Sequence, residues 1–248
     1  MMAESTLHDY EYVVIHGVSP AAYQRVLEAV GHCHLRHTYD HGDLEILRVL
    51  HAVDANAYRK LLEAIPESYL RHTYDGWTLE MMTPGRDHEW VTGLLRRMVE
   101  TMAFVLEIPI QSTGSTTLAS ALHETGLQPD GSYYVQREAE VRGRDEYRPG
   151  VDPPPDLVIE VDVTSSCLPR LPVFAKLGVP EIWRYGKEGI QLYYLGEQGE
   201  YQVSDRSVAF PFVTAPDLAR FLEQRRQTDE NSVIRAFVDW ARAAYSEQ

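Results

Sequence analysis

The segment Leu157–Val163 constrains the fold more than any other part of the chain. It reads LVIEVDV, so five of its seven residues are apolar and most of these are β-branched. A continuous apolar run of this length is typical of a central strand that is covered on both faces. Such a strand requires helices on both sides of its sheet. The segment therefore predicts an α/β fold with a mixed sheet flanked by helices.

Periodic segments around this strand supply the remaining layers. A long amphipathic helix is predicted after Asp87, and a shorter helix is predicted to stop at Gly178. Further strands are expected over residues 110–118, 126–136, 182–185, 190–195, 201–204 and 207–212, and closing helices over residues 216–224 and 231–245.

A duplication precedes these elements. Val18–Ile46 aligns with Val53–Met81 at a constant shift of 35 residues, and 14 of the 29 aligned pairs are identical. Each copy begins with helical spacing, which Ser19 and Asp54 are placed to cap, and continues into two short extended segments joined by a turn. Two copies are too few for a solenoid, which needs roughly three or more. The repeat therefore predicts a duplicated N-terminal helix–hairpin unit that leads into the sheet.

The composition is that of an ordinary globular protein. Hydrophobic residues make up 44% of the 248 residues, yet no run of about 18 apolar residues occurs, so we expect no membrane span. The first residues lack the basic and apolar regions of a secretory signal, and two cysteines are too few for a disulfide framework. We therefore expect a soluble, cytoplasmic protein.

The net charge of −14 weighs against nucleic-acid binding, because most of that affinity comes from neutralising phosphates. A chain this acidic needs a local basic patch, a bound metal or a partner to bind DNA. Arg142, Arg144 and Arg148 lie close together in the sequence and could form such a patch. Because Asp145 and Glu146 are interleaved with them, an ordinary solvated loop is an equally good interpretation.

Two acidic segments could form a metal site. Glu160 and Asp162 are two residues apart on the predicted central strand, so their side chains share a face, and Asp130 follows Pro129 on an earlier strand. Carboxylates on neighbouring strands can hold the divalent metal that generates hydroxide in phosphodiester hydrolysis. The pattern predicts Asp130, Glu160 and Asp162 as metal ligands. The alternatives are a turn-capping Asp130 and a buried Glu160 paired with a base such as Arg170.

Three motifs carry a resemblance to a known family: GLQPD at Gly126–Asp130, PDLVIEV at Pro155–Val161 and GVPEIW at Gly178–Trp183. Together they resemble a large bacterial family of restriction-endonuclease-like proteins, formerly a domain of unknown function, in the PD-(D/E)xK nuclease superfamily. The resemblance implies a DNA endonuclease that uses Mg²⁺ or Mn²⁺ and, by analogy, forms a homodimer. It covers roughly Val53 to Tyr245. We expect the first repeat copy in residues 1–52 and a restriction-endonuclease-like domain, with the second copy, in residues 53–248.

The resemblance also implies roles for individual residues. Asp130 is the proline-linked aspartate and Glu160 is the acid of the ExK element, whose lysine position holds Asp162. In this family the lysine typically moves to the following helix, where Arg170 matches it and Lys176 lies farther along. Arginine attracts a phosphate but stays protonated, so it cannot act as a base. The alternative function is therefore a catalytically weak or silent nuclease fold that binds nucleic acid or protein.

The resemblance also implies an acid upstream of Asp130, in the first element of the family pattern, and three residues are candidates for this position. Glu80 ends the second repeat copy, whereas His88 and Glu89 begin the long helix. Glu80 and Glu89 are equally good candidates for this catalytic or structural role. Because Glu45 is the repeat counterpart of Glu80, a role for Glu80 in the hairpin itself stays open.

Overall fold

The structure is a computed structural model that describes residues 12–15, 18–30, 37–40, 43–47, 49–64, 71–82, 85–120, 122–162 and 169–246. The chain divides into two compact units, Met1–Thr83 and Pro84–Gln248. Within the ranges just given, no helix combines the length and the apolar character that crossing a membrane requires. The domain boundary after residue 52 that the repeat suggests stays a prediction.

The first unit repeats one arrangement of strand, helix and hairpin. Its described elements are β1 (Tyr12–Ile15), α1 (Pro20–Val30), β2 (His37–Asp40), β3 (Asp43–Leu47), β4 (Val49–Leu50), α2 (Ala55–Ala64), β5 (Arg71–Tyr74) and β6 (Leu79–Met82). In the first copy β3 lies between β1 and β2, and in the second β6 lies between β4 and β5. The predicted duplication of a helix–hairpin unit is confirmed. The structure adds one strand before the helix of each copy, β1 in the first and β4 in the second.

The two copies share the same strand register. Glu45 on β3 lies opposite Val14 on one side and Thr38 on the other. Glu80 on β6 lies opposite Val49 and Thr73, each 35 residues further along.

The helices of this unit are capped as the sequence predicts. Ser19 Oγ accepts the N–H of Ala22, and Asp54 Oδ1 accepts the N–H of Ala57. The two helices pack against each other over a shared core. The large apolar side chains of that core are Ile15, Val18, Val26, Leu50, Val53, Tyr58, Leu61, Tyr74, Leu79 and Met81.

The second unit is built on a six-stranded mixed sheet of order β14-β13-β12-β11-β10-β7, in which only the β11–β12 pair is parallel. Its elements are α3 (Arg86–Val105), β7 (Gln111–Ser112), β8 (Leu118–Ser120), β9 (Thr125–Leu127), β10 (Gly131–Tyr134), α4 (Glu138–Val141), β11 (Leu157–Val161), α5 (Arg170–Leu177), β12 (Glu181–Gly186), β13 (Gly189–Leu195), β14 (Tyr201–Ser204), α6 (Ala215–Gln224) and α7 (Glu230–Ser246). β8 and β9 form a hairpin that is not part of this six-stranded sheet.

The central strand β11 is buried on both faces, as its sequence predicts. Leu157, Ile159 and Val161 pack into the core formed with α3, α6 and α7, whereas Val158 packs with Phe174 of α5 on the opposite face. The alternation follows from the twofold period of a strand. The predicted fold class, an α/β fold with a mixed sheet flanked by helices, is confirmed.

Three predicted strands differ from the structure. The strand expected over 126–136 is divided into β9 and β10, because Pro129 has no N–H for the ladder. The strand expected over 110–118 is interrupted by a turn in which Gly114 has a φ of 58°. No strand forms over 207–212, where Ala209 donates its N–H to the side chain of Glu181 instead of to a neighbouring strand.

Candidate active site on the central strands

The register of β10 and β11 brings the two principal acids together. Gly131 pairs with Ile159 and Ser132 with Val158, so the next antiparallel position places Asp130 beside Glu160. Since Glu160 is two residues from Val158, its side chain lies on the face of the sheet that α5 covers. The interruption at Pro129 ends the ladder at this point and leaves Asp130 immediately before β10.

Asp130 is held by the backbone and by a histidine. Its carboxylate is buried, and Oδ2 accepts the N–H of Val161 at 2.7 Å and lies 3.0 Å from His88 Nε2. Burial lowers the pKa of His88, but the hydrogen bond and charge of Asp130, with smaller contributions from Glu89 and Glu160, raise it above its ordinary value. The imidazolium form of His88 is therefore favoured beside Asp130.

Glu160 is paired with Arg170. The Nε of Arg170 lies 2.6 Å from Oε1, and its Nη2 donates to Oε2 at 3.1 Å and to the carbonyl oxygen of Gln128 at 2.6 Å. Burial raises the pKa of Glu160, while Arg170 lowers it, Asp130 raises it and His88 lowers it. The net effect is a raised pKa, because one guanidinium does not offset both the loss of water and the neighbouring acid.

Local backbone geometry places Arg170 at this point. Pro169, which precedes α5, is extended, and the helix begins at Arg170. The side chain of Arg170 therefore lies in the first turn, next to the end of β11. Lys176 lies in the last turn of α5 and is exposed, and a separation of six residues rotates it by about 240° from Arg170.

Asp162 follows β11 and contacts a second arginine that the sequence analysis does not identify. Its N–H donates to the carbonyl oxygen of Tyr185, and its Oδ2 accepts Nη2 of Arg184 at 2.6 Å. Arg184 lies on β12 in parallel register with Glu160. Position 184 is two residues past the buried Ile182, so the alternation of a strand places Arg184 on the same face as Ile182. That Arg184 lies beside Glu160 follows only from the parallel pairing of β11 and β12, which the sequence does not show.

The first-element candidates lie in different units. Glu89 is exposed in the first turn of α3, with Oε1 3.6 Å from His88 Nδ1. Glu80 is buried on β6 of the first unit. The roles expected of both residues stay predictions, as do those of Asp130, Glu160, Asp162 and Arg170.

The arginines near α4 are paired with acids. Arg142 contacts Glu138, and Arg144 and Arg148 both contact Asp152. The hydrogen bond from Arg148 lowers the pKa of Asp152 to about 2. This segment matches the interpretation as a solvated charged loop better than that as an open basic patch.

The donor chemistry of the site suits a hard divalent cation. Asp130 and Glu160 supply carboxylate oxygens, and Gln128 Oε1 is a buried acceptor for which the described residues offer no hydrogen-bond partner. Oxygen ligands of this kind are those that Mg²⁺ and Mn²⁺ prefer. Over the described ranges, no group of three or more His, Cys, Asp or Glu side chains is close enough to hold a metal. Asp130 and Glu160 would therefore be supplemented by oxygens other than a third acid.

Comparisons with known proteins agree with the sequence motifs. Residues 55–226 match the model of the Uma2 family, described as "Putative restriction endonuclease". A crystal structure described as a putative nuclease belonging to DUF820, from Anabaena variabilis ATCC 29413, is 15% identical, with a TM-score of 0.44 and coverage of 76% of this chain and 99% of that one. No curated protein matches the chain. The resemblance of the three motifs to a family of restriction-endonuclease-like proteins is confirmed by the family match, which includes all of them.

Proposed function

Since the chain belongs to the Uma2 family of restriction-endonuclease-like proteins, we propose that it is a divalent-metal-dependent nuclease that hydrolyses phosphodiester bonds in DNA. The observation that carries the proposal is the juxtaposition of Asp130 and Glu160 on adjacent strands, with Arg170 on the following helix. This is the constellation that the PD-(D/E)xK resemblance implies, apart from the exchange of lysine for arginine.

The electrostatics of the site favour a bound cation. Asp130 and Glu160 lie beside each other, and the pKa of Glu160 is raised by burial despite its pairing with Arg170. A divalent ion near these carboxylates would stabilise their ionised forms. The site therefore gains more from Mg²⁺ or Mn²⁺ than an exposed pair of acids would.

Each residue has a separate part in the proposed reaction. A bound Mg²⁺ or Mn²⁺ would supply a Lewis acid and a water of lowered pKa. Asp130 and Glu160 would hold it, the first oriented by the N–H of Val161 and the second by Arg170. Arg170 stays protonated, so it balances charge but does not accept the proton of the attacking water.

One observation favours the alternative of a silent nuclease fold. Asp130, Glu160 and Asp162 each have a basic partner, namely His88, Arg170 and Arg184. A site that is neutralised internally can keep its geometry without a metal. Binding of nucleic acid or of a protein partner without turnover is therefore the second candidate function.

Calorimetric titration with Mn²⁺ separates the two candidates. The wild type is expected to bind Mn²⁺, and Asp130→Asn and Glu160→Gln are expected to lose that binding while remaining folded. Glu181→Gln is the matched control, because it alters a buried glutamate on the neighbouring strand away from these contacts. If the wild type binds no metal, the nuclease proposal is wrong. If it binds Mn²⁺ but cleaves neither plasmid nor single-stranded DNA, the silent alternative is favoured.

A further inference from the structure

A row of polar side chains crosses the sheet at the level of Glu160. Glu160 on β11 is in register with Arg184 on β12, and Arg184 is in register with Gln191 on β13. Residues in register on adjacent strands project to the same face, so these side chains lie on the face that carries Asp130. The row therefore extends the acidic centre by one cation and one amide across the sheet.

The two arginines beside the acids differ in how far solvent reaches them. Arg170 has a side chain only 9% exposed, and it is bound to Glu160 and to the carbonyl oxygen of Gln128. Arg184 has a side chain 35% exposed, its Nη2 contacts Asp162, and Tyr193 is a further hydrogen-bond partner. A phosphate approaching this face can therefore reach Arg184 without breaking the buried pair that fixes Glu160.

Asp162 is placed to orient Arg184. The N–H of Asp162 is bonded to the carbonyl oxygen of Tyr185 at 2.7 Å, which fixes its backbone beside β12. Its carboxylate holds one nitrogen of the guanidinium, and the planar fork of arginine carries further N–H donors. An arginine held in this way is suited to forked contact with a phosphate.

We propose that Arg184, oriented by Asp162, contacts a phosphate of the bound nucleic acid beside the Asp130–Glu160 centre and supplies positive charge that Arg170 has committed to Glu160. The inference rests on the proposed function, since it names a substrate contact of the same site. It assigns Asp162 to Arg184, so Asp162→Asn is expected to leave Mn²⁺ affinity within about threefold of wild type.

Equilibrium binding of a fluorescein-labelled DNA oligonucleotide tests the proposal. Anisotropy is measured over a series of salt concentrations, first with a chelator and then with Ca²⁺, which takes oxygen ligands like those of Mg²⁺. Arg184→Gln is expected to weaken binding about tenfold and to reduce the salt slope by about one, as for loss of one phosphate contact. Arg184→Lys is expected to keep the slope and to lose only a few-fold in affinity, because it keeps the charge but not the fork.

Arg220→Gln is the matched control. Arg220 is also a half-exposed arginine near an aspartate, Asp217, but it lies on α6, which packs on the opposite face of the sheet. Its replacement is expected to leave DNA affinity and the salt slope at wild-type values. An equal loss in Arg220→Gln and Arg184→Gln would show a general charge effect and would overturn the proposal.

Asp162→Asn distinguishes positioning from simple repulsion. If Asp162 only repels phosphate, Asp162→Asn tightens DNA binding both in the wild type and in the Arg184→Gln variant. If Asp162 orients Arg184, Asp162→Asn weakens binding in the wild type and has no such effect in Arg184→Gln.

The outcomes separate this inference from the function on which it rests. Unchanged affinity and slope in Arg184→Gln, with a wild type that binds and cleaves DNA, overturn the inference and leave the nuclease intact. A wild type that binds no DNA in either condition refutes the DNA-directed function, and the inference with it. Should Arg184→Gln fail to fold, the DNA affinities of Arg184→Lys and Asp162→Asn decide the matter. Weaker binding in both variants supports the inference, and wild-type affinity in both overturns it.

Discussion

Two buried glutamates on adjacent parallel strands, Glu160 on β11 and Glu181 on β12, are satisfied in different ways. Glu160 faces a guanidinium and lies near other acids, and its pKa is raised by burial. Glu181 accepts the indole N–H of Trp183 at 2.8 Å and the backbone N–H of Ala209 at 2.6 Å. Burial raises its pKa too, but neutral donors oppose the shift.

The difference separates a structural carboxylate from one that can respond to a ligand. Neutral donors fixed by the fold satisfy Glu181 whatever binds nearby, and they attach the segment after β14 to β12. Glu160 depends on charge, so the arrival of a cation or a proton changes its energy directly. Sequence alone shows two glutamates in apolar strands, and only their partners reveal which one belongs to a site.

The largest expected effect comes from exchanging each glutamate for its isosteric amide. Glu160→Gln is expected to lower Mn²⁺-dependent cleavage of plasmid DNA about 1000-fold, because it removes a charged ligand at the reacting centre. Glu181→Gln is expected to retain cleavage within a few-fold when measured below its own unfolding temperature. Comparable losses in two folded variants would erase the distinction between the two glutamates.

Replacement of Glu181 by an apolar side chain is expected to lower the stability of the fold. Glu181→Leu leaves the N–H groups of Trp183 and Ala209 buried without their acceptor, at about 1–3 kcal/mol each. We expect the free energy of unfolding to fall by about 3 kcal/mol in urea titrations followed by tryptophan fluorescence. A fall below about 1 kcal/mol would mean that these donors find other acceptors.

A third buried glutamate, Glu80, tests whether an acid outside the central strands also contributes to cleavage. The family match begins at residue 55, so it includes Glu80 and excludes its repeat counterpart Glu45. Glu80→Gln is therefore expected to reduce cleavage about tenfold, and Glu45→Gln is expected to leave it unchanged. Equal stability losses in both variants with full activity would assign Glu80 to the hairpin.

The pH dependence of stability gives a further test of the two glutamates. Because the folded pKa of Glu160 is raised from 4.5 to about 8, its contribution to stability is full below about 4.5 and is lost as the pH rises toward 8. In chelator, the free energy of unfolding should therefore decline over this range, and less steeply in Glu160→Gln. Glu181→Gln should also reduce the decline, since the pKa of Glu181 is raised as well.

Mn²⁺ separates the two contributions to that decline. Metal binds the ionised form, so saturating Mn²⁺ should flatten the part due to Glu160 and leave the part due to Glu181. Urea midpoints at four or five pH values, with and without Mn²⁺, measure both parts. A decline that Mn²⁺ does not alter would place the metal away from Glu160.

Local pattern was sufficient for the features that depend on local chemistry. The apolar run of β11 and the helix caps Ser19 and Asp54 could be predicted, because each follows from the residue and its near neighbours. Arg184 could not, because its relation to Glu160 depends on the parallel register of two strands.

Burial and long-range hydrogen bonds account for the other differences. The sequence leaves open whether Arg170 attracts a phosphate or pairs with Glu160, and the pairing depends on how α5 begins after Pro169. The segment 207–212 has strand-like residues, yet it bonds to Glu181, which lies about 28 residues earlier. Tertiary partners decided both outcomes, and in the segment 207–212 they overrode the local preference for a strand.

The shared register of the two copies in the first unit leaves the folding chain with a choice. A hairpin from either copy presents the same register to the strand that precedes it, so β1 could pair with β6, and β4 with β3, in the same alignment. The side chains that differ between the copies must therefore encode which hairpin belongs to which strand. Near-identical neighbours of this kind create competing minima during folding.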